Sequence, residues 1–324
     1  MRIAVLYSGQ GCPDLLEEAD TVLQMEEVVS TLMQMDHSVV PVAYGEARTK
    51  LRALRQNLDL VFNLVESVEG SDARIYEAAE LFESFNLPYT GCGAASLRRL
   101  ASKTEQKLIM REHHLPTPDF IGADSLQYIG DGAPSKFIVK SDTEHASVGL
   151  DSTCLVEGID QAKKLIALKS AEYGGFWFAE SFIDGREFNI SVLGRAGHAP
   201  RVLPPAEMLF VDYPDNMPKI VDYKAKWEQD SFAYSATVRS FTYPASDREL
   251  LSTLCDLSIR AFELFELTGA ARVDFRVDSK NRPFILEVNA NPCLTSDAGF
   301  MAAAREDGLS AARVLETLFP VSES

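Results

Sequence analysis

No stretch of this 324-residue chain approaches 18 uninterrupted apolar residues, so no membrane-spanning helix is expected. Cysteine is scarce too: Cys12, Cys92, Cys154, Cys255 and Cys293 are odd in number, scattered and never at C-x-x-C spacing. They argue against a disulfide framework or a zinc site and for a reducing compartment. Positive charge is in deficit, with 31 Lys and Arg against 48 Asp and Glu and a formal net charge of -17. Such a field repels nucleic acid and anionic membranes, so neither is an expected partner. Any polyphosphate must be held by locally placed Lys, Arg, backbone N–H groups or metal. His37, His113, His114 and His198 form no cluster, and there is no internal repeat or low-complexity run. The opening "MRIAVLYSG" has too short an apolar run for a signal peptide and reads as a buried strand, which makes the cytoplasm the expected location.

What is present is first a rhythm. Residues 2–90 alternate strand and helix patterns, from "RIAVLYS" and "ADTVLQMEEVVSTLMQM" to "DLVFNLVE" and "DARIYEAAELFESF", as an open, mainly parallel α/β sheet does. Gly9-x-Gly11 after the first strand lacks the third glycine and the distant acid of a dinucleotide fingerprint, so no nicotinamide cofactor is expected. "NLPYTGCGAAS", residues 86–96, is a Pro/Gly-rich join and the first boundary. Helical pattern then runs to about His113, and strands flank "DTEHASVG" over 137–157. A helix at 159–171 and three strands through "HAPRVLP" follow. Residues 206–235 read as a polar irregular loop over a site, and helices are expected near 247–266, 296–306 and 310–319.

Between the last helices lies a hairpin, "ARVDFRVDSKNRPFILEVNANP", residues 271–292. Val273, Phe275 and Val277 alternate with Arg272, Asp274 and Arg276; after the turn Phe284, Leu286 and Val288 alternate with Ile285, Glu287 and Asn289. A turn at 279–282 sets Asp278 opposite Pro283, Asp274 opposite Glu287 and Arg272 opposite Asn289. Facing carboxylates destabilise a plain sheet. The pair is therefore either a solvated outer face or a divalent-cation site made by Asp274, Glu287 and Asn289, with nucleotide phosphates completing a Mg²⁺ shell. A one-residue slip of register would separate the pair.

Lys140 ends the strand "FIVK" ahead of small, polar "SDTEHASVG". A lysine beside backbone that can approach closely suits phosphate, although a lone surface lysine before a turn reads the same way. "FWFAESFIDGREF" sets Glu180 and Glu187 around an Asp184-Gly185 turn. A carboxylate there accepts hydrogen bonds from a purine amino group or a ribose, and Phe178, Phe182 and Ile183 can sandwich a base; the alternative is a solvated hairpin rim.

Taken together, "VFNLVES", "LPYTGCG", Lys103 in "ASKTEQK", Lys140 with "EHASVG", "AESFIDGREF", "YKAKW" and "RVDF…ILEVNANP" resemble the ATP-grasp superfamily, and most of all its D-alanine–D-alanine ligase group. They follow the family's order and approximate spacing over nearly the whole chain. The resemblance implies an α/β N-terminal domain over 1–95, then an α+β ATP-grasp fold of two lobes, 96–178 and 179–324. It implies ATP held by Lys103, Lys140, the hinge acid Glu180 and the ribose-binding Glu187, with Glu144, Ser147, Phe182, Ile183 and Phe275 also on the nucleotide and Lys226 reaching the phosphates. Asp274, Glu287 and Asn289 would hold two Mg²⁺ ions, replaceable by Mn²⁺. Arg272 would stabilise the reacting carboxyl centre, with Lys226 and Ser147 as further catalytic residues. The implied activity joins a small-molecule carboxylate to an amine, amino acids or short peptides, through an acyl phosphate. Loops 142–149 and 206–232 would form a lid, and a homodimer is implied as well.

The chain also departs from that group. Ala146 stands where a serine is usual, Trp227 where a tyrosine is, and Cys293 where a glycine is frequent. The serine that helps hold the acceptor carboxylate falls near Ala298, and the acid that grips the first ammonium is unplaced, Glu17 and Glu18 being loose candidates. ATP and metal positions are kept while substrate positions drift, which favours a related ligase with another substrate pair over D-alanyl-D-alanine synthesis. A nucleophilic Cys293 is disfavoured, because its backbone N–H is what such a site uses. A phosphotransferase and a non-catalytic ATP-binding regulator are the competing readings. The retained Arg272, Asp274, Glu287, Asn289 and lysines weigh against the regulator.

Overall fold

A computed structural model describes residues 1–9, 16–122, 127–128, 135–144, 147, 149–195 and 197–320, without the side chains of 16–19 and 127–128. The chain begins β1 (Arg2–Tyr7), α1 (Leu16–Gln34), β2 (Ser38–Ala43), α2 (Tyr44–Leu54), β3 (Leu60–Leu64) and α3 (Tyr76–Ser84), with the strands in a parallel sheet of order β2-β1-β3. Every residue of β3 is buried, as expected for a parallel strand covered on both faces. Pro41 lies in β2 at the sheet's edge, where its missing N–H breaks no second ladder.

Helices α4 (Ala94–Leu100) and α5 (Lys103–Glu112) lead to β4 (Phe120–Ile121), β5 (Gln127–Tyr128), β6 (Lys136–Ser141), β7 (Leu155–Glu157), α6 (Gly158–Tyr173) and β8 (Trp177–Ser181). These strands form an antiparallel sheet of order β5-β4-β8-β6-β7. Phe137, Val139, Trp177 and Ala179 point one way, onto Ala162 and Ile166 of α6. The period of two then sends Lys140 and Glu180 to the opposite face.

The third sheet is built from β9 (Gly185–Leu193), β10 (Arg201–Val202), β11 (Ala206–Phe210), α7 (Tyr223–Trp227), α8 (Phe232–Ala236), β12 (Thr237–Ser240), α9 (Arg248–Leu264), β13 (Ala270–Asp278) and β14 (Pro283–Ala290). Its order is β12-β11-β9-β13-β14, with β10 on β9. Phe188, Ile190, Val273, Phe275 and Val277 bury its apolar face against Leu254, Leu257 and Phe262 of α9 and Leu97 and Leu100 of α4. Helices α10 (Gly299–Glu306) and α11 (Ala311–Leu318) return to the first sheet, where Phe300, Val314 and Leu315 pack on Ile3, Val5 and Phe62. The third sheet's polar face and the first sheet's C-terminal edge are thereby held opposite each other.

Three expectations are corrected. Residues 206–235 are not a bare loop: they contain β11, α7 and α8 around Tyr213, Ala225, Ala233 and Ala236, a small apolar core of their own. The "LDSTCLV" segment is a turn of 3₁₀ helix, Ser152–Cys154, followed by the three-residue β7. In the hairpin, Arg272 does face Asn289 and Asp274 faces Glu287, but a bulge after Asp274 pairs Phe275 with Ile285 and Val277, not Asp278, with Pro283. The extra residue on β14 turns Ile285 into the core and leaves Leu286 on the site side, reversing their expected faces.

Candidate active site

A cavity of about 780 Å³ runs between the first sheet and the polar face of the third. On β13 and β14 the alternation of side chains brings Arg272, Asp274, Glu287 and Asn289 to its wall. Asp274 Oδ1 accepts from Arg272 Nε and Asn189 Nδ2, both at 2.7 Å, and Oδ2 accepts from Arg272 Nη2 at 2.8 Å and Asn289 Nδ2 at 3.1 Å. The same Asn289 nitrogen donates to Glu287 Oε1 at 3.3 Å. An amide N–H₂ wedged between two carboxylates stands where a cation would sit, and a flip of that amide would offer its oxygen instead. Among the described residues no group of three His, Cys, Asp or Glu forms a protein-only metal cage. Two carboxylates and an amide oxygen nevertheless fit Mg²⁺, which is usually bound by one or two carboxylates together with substrate phosphates.

Lysines supply the local positive charge that an acidic chain needs. Lys103 opens α5, whose first turn is clamped by Asp142: its carboxylate accepts from Thr104 N at 2.8 Å and Ser102 Oγ at 2.6 Å, and its carbonyl accepts from Lys103 N at 2.9 Å. The Lys103 ammonium donates to the carbonyl of Glu144 at 2.6 Å and lies 3.4 Å from Glu287 Oε2. Lys140 pairs with Glu180 Oε1, while Lys107 lies 2.7 Å from Glu180 Oε2 and donates to Thr117 Oγ1 at 3.0 Å. Burial works against the charge on Glu180, but the two ammonium groups outweigh it and hold the carboxyl below its ordinary range. Burial likewise opposes the Lys140 ammonium, yet Glu180, Glu287 and Glu187 carry it above the usual lysine value, whereas fully buried Lys107 is pushed below.

Glu187 on β9 lines the cavity and accepts from Arg276 Nη1 at 3.0 Å; burial still raises its carboxyl above the usual value. Arg276 also donates to the carbonyls of Ile183 at 3.0 Å and Lys219 at 2.9 Å, and its guanidinium lies 5.4 Å from the centre of the Phe182 ring. Phe182 and Ile183 thus sit on the strap between β8 and β9. Phe275, expected at the nucleotide, is fully buried in the core on the other face of β13, because the strand's period of two sends it away from Asp274.

Ser147 lines the cavity with φ of 61°, and its hydroxyl donates to Val221 O at 3.4 Å. Tyr223 N donates to Leu150 O at 3.3 Å, so the two segments expected to act as a lid touch each other. Gly149 ends the first of them with φ of 68°, where a Cβ would come within 2.8 Å of Trp177; its carbonyl accepts from Lys169 Nζ at 2.8 Å. Glu144 is on the cavity wall. His145 and Ala146, and the side chains of Glu17 and Glu18, fall outside the described residues.

The far end of the cavity has a different character. Lys226 and Arg272 face Asp20, Glu66, Asp72 and Cys293 across it. Glu66 Oε1 accepts from Gln24 Nε2 at 2.6 Å, and Ser8 Oγ fixes its loop by accepting from Glu66 N at 3.0 Å and Ser67 N at 3.1 Å. Burial and the nearby carboxylates of Asp20 and Asp72 push Glu66 up to about 7. Asp20 is raised by burial too, and its Oδ2 accepts from Cys293 Sγ at 3.3 Å. Burial, Glu66 and Asp20 hold the Cys293 thiol far above its ordinary value, and burial with Arg272 pushes the Lys226 ammonium down.

Sequence reasoning missed four of these residues. Lys107 lies one helical turn beyond Lys103, and Arg276 lies one strand period beyond Asp274, so both spacings carried the signal. Asp20 had none, and Glu66 had only its place in "VFNLVES", because the two meet only through the tertiary fold.

The profile of the family described as D-ala D-ala ligase C-terminus matches residues 133–320. That is more than half of the chain. The chain belongs to the D-alanine–D-alanine ligase family. A D-alanine–D-alanine ligase of Bordetella pertussis is 31% identical over 95% of this chain and 91% of its own. One from Bordetella petrii is 29% identical over 100% and 92%. In fold, a Bacillus anthracis D-alanine–D-alanine ligase structure complexed with ATP superposes with a TM-score of 0.73 at 20% identity, covering 98% of this chain and 96% of the other. The protein is accordingly an ATP-dependent, C–N bond-forming ligase with the ATP-grasp fold, and members of its family use ATP and a divalent metal. Among the described residues, no helix is long and apolar enough to cross a membrane.

Proposed function

We propose that this ligase activates a carboxylate as an acyl phosphate and joins it to an amine, the two being amino acids or short peptides other than a pair of D-alanines. The observation that carries the reading is the unbroken cavity from Asp274, Glu287 and Asn289 to Asp20 and Glu66, with Arg272 between the two ends. Lys103, Lys140 and Lys226 would neutralise the transferring phosphoryl group, with Ser147 and Glu144 beside it, while Glu180, Glu187, Phe182 and Ile183 hold the nucleoside. Divalent metal at Asp274, Glu287 and Asn289 would supply charge neutralisation on the phosphates. Arg272 would stabilise the oxyanion formed at the carboxyl carbon as the amine attacks and phosphate leaves. Closure of the segments that meet at Ser147 and Val221 keeps water from the acyl phosphate.

A substrate pair other than two D-alanines is supported by the Asp20–Glu66–Cys293 wall and by Ala298 and Trp227, all at the substrate end. The second reading, D-alanine joined to D-alanine, is favoured by the activity named in several relatives. Two Mg²⁺ ions, Mn²⁺ as a substitute, and a homodimer are included in the proposal on resemblance alone. A pairwise screen of carboxylates and amines, followed by ADP release and mass spectrometry of the product, tests it. An amide product is expected with at least one pair. Lys140→Ala and Glu287→Gln should each lower turnover by about 10³-fold or more; wild-type activity in either would overturn the site assignment.

A further inference from the structure

We propose that Asn189 is a positioning residue for the metal: it holds one oxygen of Asp274 back, so that Asp274 coordinates through its other oxygen alone and the site takes Mg²⁺ in preference to Ca²⁺. The inference rests on the ligase reading above and adds a residue that reading does not use. Strand β13 lies between β9 and β14, and the two registers set Asn189 opposite Asp274 on one side and Glu287 opposite Asp274 on the other. All three residues line the cavity. Asn189 therefore reaches Asp274 from the side away from Glu287. Its Nδ2 donates to Asp274 Oδ1 at 2.7 Å, the atom that also accepts from Arg272 Nε at 2.7 Å. Oδ2 instead accepts from Arg272 Nη2 at 2.8 Å and from Asn289 Nδ2 at 3.1 Å.

The two oxygens differ in what a cation would do to them. Each offers about two lone-pair sites, and those of Oδ1 are taken by Arg272 and Asn189, neither of which is a metal ligand. One donor on Oδ2 is Asn289, whose amide must turn its oxygen toward a cation in order to bind it, and that turn frees a lone pair on Oδ2. Asp274 is then left with one oxygen for the cation, on the side of Glu287 and Asn289. Asn189 gains nothing by turning, since its amide oxygen would face Asp274 Oδ1 on the side away from the metal ligands. Mg²⁺ demands near-octahedral geometry and is held through one or two carboxylates together with phosphates. Ca²⁺ takes about six to eight oxygens and readily accepts both oxygens of one carboxylate. An Oδ1 kept by Asn189 withholds that second oxygen, and outer partners of this kind alter metal affinity by about tenfold to a hundredfold.

The test uses the full-length enzyme with ADP and follows bound Mn²⁺ through the electron paramagnetic resonance of the free ion, as Mg²⁺ or Ca²⁺ displaces it. The wild type should release Mn²⁺ at a Mg²⁺ concentration about tenfold or more below the Ca²⁺ concentration that does the same. Asn189→Ala should cut that ratio by about tenfold, chiefly by strengthening Ca²⁺. Asn189→Asp, nearly the same shape but unable to donate, should cut it at least as far, and Asn189→Thr, which keeps a hydroxyl donor, should recover part of it. Equal displacement by the two ions in the wild type would overturn the inference while leaving the ligase reading intact, and that comparison needs no variant to fold. An unchanged ratio in folded Asn189→Ala and Asn189→Asp would overturn it as well. A wild type that binds no Mn²⁺ beside ADP would remove the metal assignment of Asp274, Glu287 and Asn289 and this inference together, whereas the ligase reading falls only if the substrate screen yields no amide.

Discussion

The two ends of the cavity differ in how their charges are settled. At the nucleotide end Glu180 lies between Lys107 and Lys140, Glu187 lies on Arg276, and Asp274 on Arg272. At the substrate end Asp20 and Glu66 are carboxyls pushed toward protonation, and Arg239 carries no ion pair among the described residues. A site that handles one invariant ligand, ATP, is best built with its charges already matched and its groups fixed before binding. A site that chooses among substrates must keep part of its polarity unsatisfied, because the correct ligand is what completes it. The difference separates what makes the protein a ligase from what decides which bond it makes.

After the loss of turnover expected for Lys140→Ala and Glu287→Gln, the largest effect that would break this contrast lies at Lys107. Removing one partner of a buried ion pair costs about 3–5 kcal/mol because it leaves the other charge unmatched. Lys107 is fully buried on Glu180, so Lys107→Met should lower unfolding free energy by about 3 kcal/mol in a denaturant titration. It should also weaken ATP binding, since Lys140 alone would then orient Glu180. The double variant Lys107→Met with Glu180→Gln should be more stable than Lys107→Met. If Lys107→Met melts like the wild type, the nucleotide end is not held together by this pairing.

A smaller effect sharpens the other side. Glu66 is raised from its unfolded value near 4.5 to about 7, so the folded state holds a proton there that the unfolded chain has released. The stability this group contributes is present below pH 4.5 and is lost as pH rises through about 7. Glu66→Gln keeps an acceptor for Gln24 and cannot ionise. Relative to the wild type it should gain about 1–3 kcal/mol between pH 4.5 and pH 8, read from melting curves across that range. A constant difference between the two proteins over the range would show that Glu66 ionises freely, and the substrate end would then be as settled as the nucleotide end.

How much of this was legible before the fold divides along the same line. The parallel first sheet, the hairpin pairing of Asp274 with Glu287, and Lys140 at a strand end follow from local period and spacing, which a sequence carries directly, whereas Lys103 comes only with the family resemblance. The bulge after Asp274 was not legible: alternation alone assigns Leu286 to the core, and only the packing of Ile285 against the helices decides otherwise. Phe275 was misread for a related reason, since an aromatic beside a site residue on a strand belongs to the opposite face. The 206–235 segment looked polar because its small core, Tyr213 with three alanines, has too few large apolar residues to show a period. Asp20 and Glu66 are brought together with Cys293 by elements far apart in the chain, and no local pattern announces that meeting.

Cys293 gives the smallest expected effect and the narrowest test of the contrast. A thiol between the Asp20 and Glu66 carboxyls is held in its protonated form, so it is a poor nucleophile even though it lines the site. It donates to Asp20 at 3.3 Å, and a serine hydroxyl donates in the same way. Cys293→Ser should therefore keep turnover within about threefold of the wild type, and iodoacetamide should modify the native thiol no faster at pH 8 than at pH 6. Cys293→Ala removes the donor and leaves Asp20 without that hydrogen bond, which raises its carboxyl further. Its effect should fall on KM for the substrate that reaches Asp20 and spare KM for ATP. Loss of turnover in Cys293→Ser with the fold intact would instead place the sulfur in the chemistry, and the division of the cavity into a catalytic end and a selecting end would have to be drawn elsewhere.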